Sequence, residues 1–323
     1  MLRLTCLLVD IALALLLTLQ CARSFILPRP ATAVVVGGSG ARHVMSAVGG
    51  TTASTTAAST PSSPRQSPRQ EQSLLAIRNE QEGYDLHGVL TVKREDKCIW
   101  VLCHGLCSSC EGTVPRFISE SLDANTFRFD FAGCGKSGGH WKYAGYDREL
   151  SDLRAVVLGL RELGWRVNCV LGHSKGAAAV LRYGENFDDV DLVVNVAGRF
   201  HTSETPRSRF TEEQWKQLEE TGSFQWAVKG QDLTINRSDF EERAALDMRR
   251  TASSIKRSKV LTIHGEEDET IPVEDAREFD RVLLNNDLVV IEGATHRFAT
   301  EPEQRKVMEA IAPYALAGFP NGA

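Results

Sequence analysis

The sequence predicts an α/β domain with a mostly parallel, doubly wound sheet, on three observations. Short, nearly all-apolar runs such as Cys98-Ile99-Trp100-Val101-Leu102-Cys103 and Val190–Ala197 recur along the chain. Such strands are buried on both faces, so helices must cover the sheet above and below. Between them lie amphipathic segments. Asp147–Leu163, for example, places apolar residues at 150, 153, 156, 157, 160 and 163, the spacing of a helix packed on a sheet. The third observation is the passage Val170–Val180, an apolar strand, a turn with glycine on both sides of a serine, and a helix start rich in small residues.

Taken in order, the folded pattern begins near residue 73. Ser73–Asn79 and Tyr84–Val92 alternate in polarity around Glu80-Gln81-Glu82-Gly83 and predict a hairpin. The run 98–103 is a buried strand ending at His104-Gly105-Leu106, with a helix expected over Val114–Leu122. Thr126–Phe131 is the next strand, closed by the glycine-rich stretch 132–139, and Asp147–Leu163 the next helix. Arg166–Leu171 leads into the serine turn, Ala177–Tyr183 is helical, and Val190–Ala197 is again a strand.

Residues 199–254 break the rhythm, being polar with helical stretches around Thr211–Glu220 and Arg237–Met248 and several aromatics. An insertion between strands at the loop end of a sheet is expected to act as a helical lid. The alternation resumes with strand Val260–His264, helix Val273–Leu284, strand Leu288–Glu292 and helix Glu301–Leu316. The expected division is therefore a core in two parts, 73–198 and 255–317, an insertion at 199–254 and a tail at 318–323.

The first 72 residues differ in kind. An apolar run at 4–19 behind Arg3, followed by Cys21-Ala22-Arg23-Ser24, predicts a signal peptide over 1–24 rather than a permanent membrane span. Residues 25–72 up to the first strand are rich in Ser, Thr, Ala, Gly and Pro; acids are missing from 25–70, which use Arg and no Lys. That is the composition of a disordered or removed transit segment. With Phe25 at the expected cleavage point, the leader resembles the bipartite plastid leaders of algae with secondary plastids; secretion is the alternative.

Charge narrows the partners. The first 70 residues hold six bases and one acid, leaving 31 bases against 41 acids beyond them. An acidic folded part argues against nucleic acid or an anionic membrane as the main partner, and no anchor is expected once the leader is removed. The eight cysteines are scattered. Cys107-x-x-Cys110 has no second Cys or His pair at zinc-site spacing, so no metal is expected and a disulfide is left open.

The chemistry centres on Gly172-His173-Ser174-Lys175-Gly176. Glycines around a serine, between strand and helix, form a turn that projects the hydroxyl into a cleft. A serine needs a base to take its proton and an acid to hold that base. Downstream, Gly265-Glu266-Glu267-Asp268-Glu269 and Gly293-Ala294-Thr295-His296 each follow a strand. Asp268, within the block His264-Gly265-x-x-Asp268-x-x-Ile271-Pro272, and His296, the last histidine, are the expected acid and base; Glu266, Glu267 and Glu269 compete with Asp268. The backbone N–H groups of Leu106 and Lys175 are the expected oxyanion donors, and the Lys175 side chain is expected to reach solvent or an acid. This chemistry calls for no metal or organic cofactor.

Together with Phe129-Asp130-Phe131-x-Gly133-x-Gly135-x-Ser137-x-Gly139, these blocks resemble the α/β-hydrolase superfamily over about residues 73–317. Within it, the chain is similar to the serine-aminopeptidase-like and cinnamoyl or feruloyl esterase-like branch as found in plants. The resemblance implies the α/β-hydrolase fold, a small-molecule ester or acyl substrate, and substrate contacts at His104 and Arg199. One departure is Ala177-Ala178, where these relatives usually carry another glycine. The implied activity is hydrolysis of a carboxylic ester through an acyl-enzyme. The same triad could instead cleave amides or transfer the acyl group, and the fold could serve as a non-catalytic binder.

Overall fold

The computed structural model describes residues 33–36, 71–205 and 207–316. Eleven strands and eight α-helices lie within them. The strands are β1 (Ala33–Val36), β2 (Glu71–Asn79), β3 (Tyr84–Val92), β4 (Cys98–Cys103), β5 (Asn125–Phe129), β6 (Arg166–His173), β7 (Leu192–Val196), β8 (Ser223–Val228), β9 (Gln231–Asn236), β10 (Lys259–Gly265) and β11 (Asn286–Ile291). The helices are α1 (Thr113–Ser121), α2 (Tyr146–Glu162), α3 (Lys175–Asn186), α4 (Glu212–Thr221), α5 (Arg237–Ala245), α6 (Met248–Ser254), α7 (Val273–Val282) and α8 (Glu301–Leu316).

Nine strands form one sheet in the order β1-β2-β3-β5-β4-β6-β7-β10-β11. From β5 to β11 every neighbouring pair is parallel, while β1, β2 and β3 add an antiparallel edge. This is the expected doubly wound sheet, and its all-apolar strands now have a reason. In β4, Ile99, Val101 and Cys103 face one helical layer while Trp100 and Leu102 face the other. In β7, Val193 joins the first layer and Leu192, Val194 and Val196 the second. The first layer is closed by α2, α3 and α7, with Leu153, Val157 and Phe279 buried; the second by α1 and α8, through Phe117, Ile118, Val307 and Ile311. Each such side chain, fully buried, favours folding by about 1.5–3 kcal/mol.

The topology also locates a crevice. After β4 the chain moves to β5 on one side, then crosses to β6 on the other side of β4. Where strand order reverses in this way, the loops beyond the carboxyl ends separate and leave a ligand site. Cys103 pairs with Gly172 at that end, so the 104–106 loop and the serine turn emerge side by side.

Three expectations need correction. The 199–254 insertion is not purely helical, because β8 and β9 pair as an antiparallel hairpin between α4 and α5. Its turn is Lys229-Gly230, with φ of 50° and 76°, the two positive angles a tight primed hairpin turn demands. The stretch Arg237–Met248 breaks after Ala245, since Asp247 caps α6 by accepting from the Arg250 N–H at 2.9 Å. Finally, the sheet reaches into the stretch assigned to the leader: Ala33–Val36 pairs with β2, and β2 starts at Glu71. The signal peptide and the rest of the transit-like segment up to residue 70 fall outside the described residues, as does the tail beyond residue 316. Among those described, no helix is long and apolar enough to cross a membrane.

Candidate active site

Ser174 sits between β6 and α3 with φ 57° and ψ −118°, a conformation that costs a non-glycine residue about 1–3 kcal/mol. The flanking glycines make the turn possible. A Cβ on Gly172 would lie 2.1 Å from the Gly176 carbonyl oxygen, and one on Gly176 would lie 2.5 Å from that of His104. Gly105 permits a third close approach, its Cβ position being 3.0 Å from the Ser174 Cβ. The alanine at 177 is accommodated because Gly198 faces it; a Cβ there would come within 2.9 Å of the Ala177 methyl.

The Ser174 Oγ lies 3.0 Å from His296 Nε2, and His296 Nδ1 lies 2.7 Å from Asp268 Oδ2. Three groups from loops after β6, β10 and β11 thus form one hydrogen-bonded chain. The Asp268 side chain is fully buried and accepts from the N–H groups of Thr270 at 2.8 Å and Ile271 at 2.7 Å. Burial alone would raise its carboxyl; the hydrogen bonds from His264 and His296 outweigh burial and hold it far below the ordinary carboxylate range. The competing Glu269 accepts instead from the backbone N–H of His296 at 3.3 Å.

The other histidines hold the loops. His173 donates from Nε2 to the His296 carbonyl at 2.9 Å, and burial with the adjacent His296 lowers its imidazole to about 3. His264 donates from Nε2 to the Ile271 carbonyl at 2.9 Å and stands 3.3 Å from Asp268 Oδ2. His104, expected to contact substrate, is 2 % exposed with both ring nitrogens occupied by backbone. Nδ1 donates to the Gly105 carbonyl at 2.8 Å, and Nε2 accepts from the Phe131 N–H at 3.1 Å. Burial lowers it to about 4, which keeps the accepting nitrogen unprotonated. It is therefore a positioning residue for the 104–106 loop.

The two expected oxyanion donors, the N–H groups of Leu106 and Lys175, make no hydrogen bond among the described residues. Lys175 begins α3, where the first backbone N–H groups have no helical acceptor. Its side chain takes the acid of the two expected alternatives, forming a buried ion pair with Glu149 of α2. Arg199 donates to the Thr270 carbonyl at 2.6 Å and lines a small cavity that also reaches Ser174.

A cavity of about 480 Å³ opens over the serine, lined by Leu106, Ser174 and His296 below and by Trp226, Val228 and Lys229 of the β8–β9 hairpin above. Lys229 donates to the Cys107 carbonyl at 2.6 Å, tying the hairpin to the 104–107 loop. Cys107 and Cys110 are both free thiols. Among the described residues no group of His, Cys, Asp and Glu is arranged to hold a metal.

Sequence reasoning missed several contributors. Glu303 accepts the N–H and hydroxyl of Thr295, at 2.7 and 2.8 Å, and those of Thr300, at 2.8 and 2.7 Å. Against burial, these four bonds hold its carboxyl at about 2 and fasten the turn that carries His296. Thr300-x-x-Glu303 has capping-box spacing, so a signal existed. Arg209, Arg243 and Tyr146, which join Arg199 around the small cavity, carry no such signal.

The chain matches the sequence profile of the alpha/beta hydrolase family over residues 100–309. It belongs to that family. No curated protein matches it. Among solved structures it is similar to Est1E from Butyrivibrio proteoclasticus with ferulic acid bound, at 21 % identity and a TM-score of 0.64, over 75 % of this chain and 98 % of that one. It is also similar to an esterase from Pyrococcus furiosus, at 22 % identity and a TM-score of 0.59, over 75 % and 91 %. Alpha/beta hydrolase domain-containing protein 10 from mouse is 18 % identical, with a TM-score of 0.59 over 76 % and 98 %. At these identities the likeness is one of fold.

Proposed function

We propose that this alpha/beta hydrolase is a serine esterase that cleaves carboxylic esters through an acyl-enzyme. The observation that carries the reading is the unbroken chain from Ser174 Oγ through His296 to Asp268, at the floor of a cavity. His296 takes the serine proton as Oγ attacks the carbonyl, and Asp268 fixes its tautomer and stabilises the imidazolium. The free N–H groups of Leu106 and Lys175 receive the developing oxyanion, each worth about 2.7–4 kcal/mol in the transition state. His296 then protonates the departing alcohol, and water activated by the same imidazole releases the acid.

One fold neighbour is an esterase by name and another has ferulic acid bound, which supports an ester over an amide. The β8–β9 hairpin acts as the lid, since its tip covers the serine. The leader composition proposes plastid import, checked by sequencing the N-terminus of the native protein.

The test is labelling by a fluorophosphonate probe. Wild type should react and Ser174→Ala should not; a properly folded wild type that stays unlabelled would turn the reading toward a non-catalytic binder.

A further inference from the structure

A second cavity, of about 40 Å³, adjoins Ser174 but is not lined by His296. Arg199, Arg209 and Arg243 form its wall together with Tyr146. None of the three guanidinium groups has a carboxylate partner among the described residues. Arg243 is 7 % exposed, donates to the Tyr146 hydroxyl at 2.8 Å, and buries an Nε–H with no acceptor. Among the described residues the Arg199 side chain has only the Thr270 carbonyl, and the Arg209 side chain has no hydrogen bond.

The acids nearby are committed elsewhere. Asp275 accepts from the N–H groups of Phe200 and His201, Glu242 from Lys142 and the Tyr146 N–H, Asp239 from the N–H groups of Asn236 and Ala144, and Glu149 from Lys175. Burial lowers the proton affinity of Arg199, and the charges of Arg243 and Arg209 add to that effect against the pull of Asp275. Three like charges gathered in a partly water-excluded space repel one another until an anion joins them. In a chain whose folded part is acidic, this concentration of unpaired positive charge beside the serine is specific to the site.

Building on the serine esterase reading, we propose that the small cavity binds a carboxylate at the far end of the acyl group, so that the substrate is a half-ester of a short dicarboxylic acid. The side is set by the chemistry. The leaving alkoxide must collect its proton from His296 Nε2, so the alcohol lies in the large cavity that His296 lines. The cavity that touches Ser174 without His296 receives the part that stays on the enzyme. Its volume is that of about three water molecules, enough for a carboxylate with a methylene or two and too small for an aryl ring. Arginine matches a carboxylate through two parallel N–H donors. Ser174 Oγ bonds to the ester carbonyl carbon, the carbon–alkoxy bond breaks, and the alcohol leaves with the His296 proton. Water then cleaves the acyl-serine bond and releases the dicarboxylate.

The experiment compares kcat/KM for monomethyl succinate, its neutral isostere methyl 4-methylpentanoate, and its reversed isomer 3-acetoxypropanoate, whose charge sits on the alcohol. Wild type should prefer monomethyl succinate at least tenfold over both. A hydrogen bond to a charged group is worth enough that Arg209→Gln or Arg199→Gln should each cut that preference about tenfold. Equal rates, or preference for the reversed isomer, in an enzyme that the fluorophosphonate labels would overturn the subsite and leave the nucleophile standing. Calorimetry on Ser174→Ala supplies a readout without turnover. Monomethyl succinate should bind it more tightly than the isostere, and adding Arg209→Gln should remove the difference; no difference to begin with refutes the subsite whatever the activity.

Discussion

His104 carries a consequence that reaches beyond catalysis. Its Nε2 accepts a backbone N–H, so the folded protein binds this imidazole only in the neutral form. Its value falls from 6.5 to about 4 on folding. Between those limits the unfolded chain binds more protons than the folded one, so stability rises with pH across the window and is lost as pH falls from 6.5 toward 4. The contribution is on the order of 3 kcal/mol. Melting temperatures measured from pH 7 to 4 should drop less steeply for His104→Gln than for wild type, and parallel curves would contradict this. At Asp268 the geometry is more exacting, because one carboxylate serves Thr270, Ile271 and His296. Asp268→Asn should lower kcat by about 10³–10⁴ by turning the His296 tautomer, with the fold intact by circular dichroism. Activity near wild type would move the acid to a neighbouring glutamate.

At the level of elements, α3 is anchored by more than its apolar face. Lys175, in its first turn, and Glu149 on α2 are 8 % and 15 % exposed as side chains. Breaking such a pair from one side leaves an uncompensated charge and costs about 3–5 kcal/mol. Lys175→Met should therefore lower the urea midpoint sharply, and Lys175→Met with Glu149→Leu should recover most of the loss; additive losses would show that the pair is not coupled. The insertion shows why elements differ in legibility. Ser223–Val228 and Gln231–Asn236 alternate in polarity around Lys229-Gly230, a local hairpin signal that the polar composition of the surrounding stretch obscured. Phe224 and Ile235 turn inward onto Phe210, Leu218 and Tyr143, while the outward residues face solvent.

Across the whole molecule, the core is two apolar layers sharing one sheet, and a residue in the central strands serves both the sheet and one layer. Leu171 of β6 is 0 % exposed, three residues before Ser174. Leu171→Ala should cost about 2–5 kcal/mol and lower the melting temperature by several degrees. A loss below 1 kcal/mol would mean that the layer collapses around the gap. Three features were legible in the chain itself: the alternation of strands and helices, the strained serine turn with its glycines, and the order serine, acid, histidine. Each is written in residue types a few positions apart, where backbone sterics and helical or strand periodicity act. Contacts between distant segments were not legible. His104 reads like a cleft residue because it follows a strand, yet the Phe131 N–H, 27 residues away, captures its free nitrogen.

The sequence alone determined the sheet, the turn that strains Ser174, and the candidates for acid and base, because those follow from local geometry. Only the tertiary structure decided that Asp268 rather than Glu269 meets His296, that Lys175 is spent on Glu149, and that Arg199, Arg209 and Arg243 share a cavity without a counter-charge. Those outcomes depend on which loops the strand order β5-β4-β6-β7-β10 brings together. Coulomb energy and hydrogen bonding act on distances through space, and separation along the chain does not set those distances.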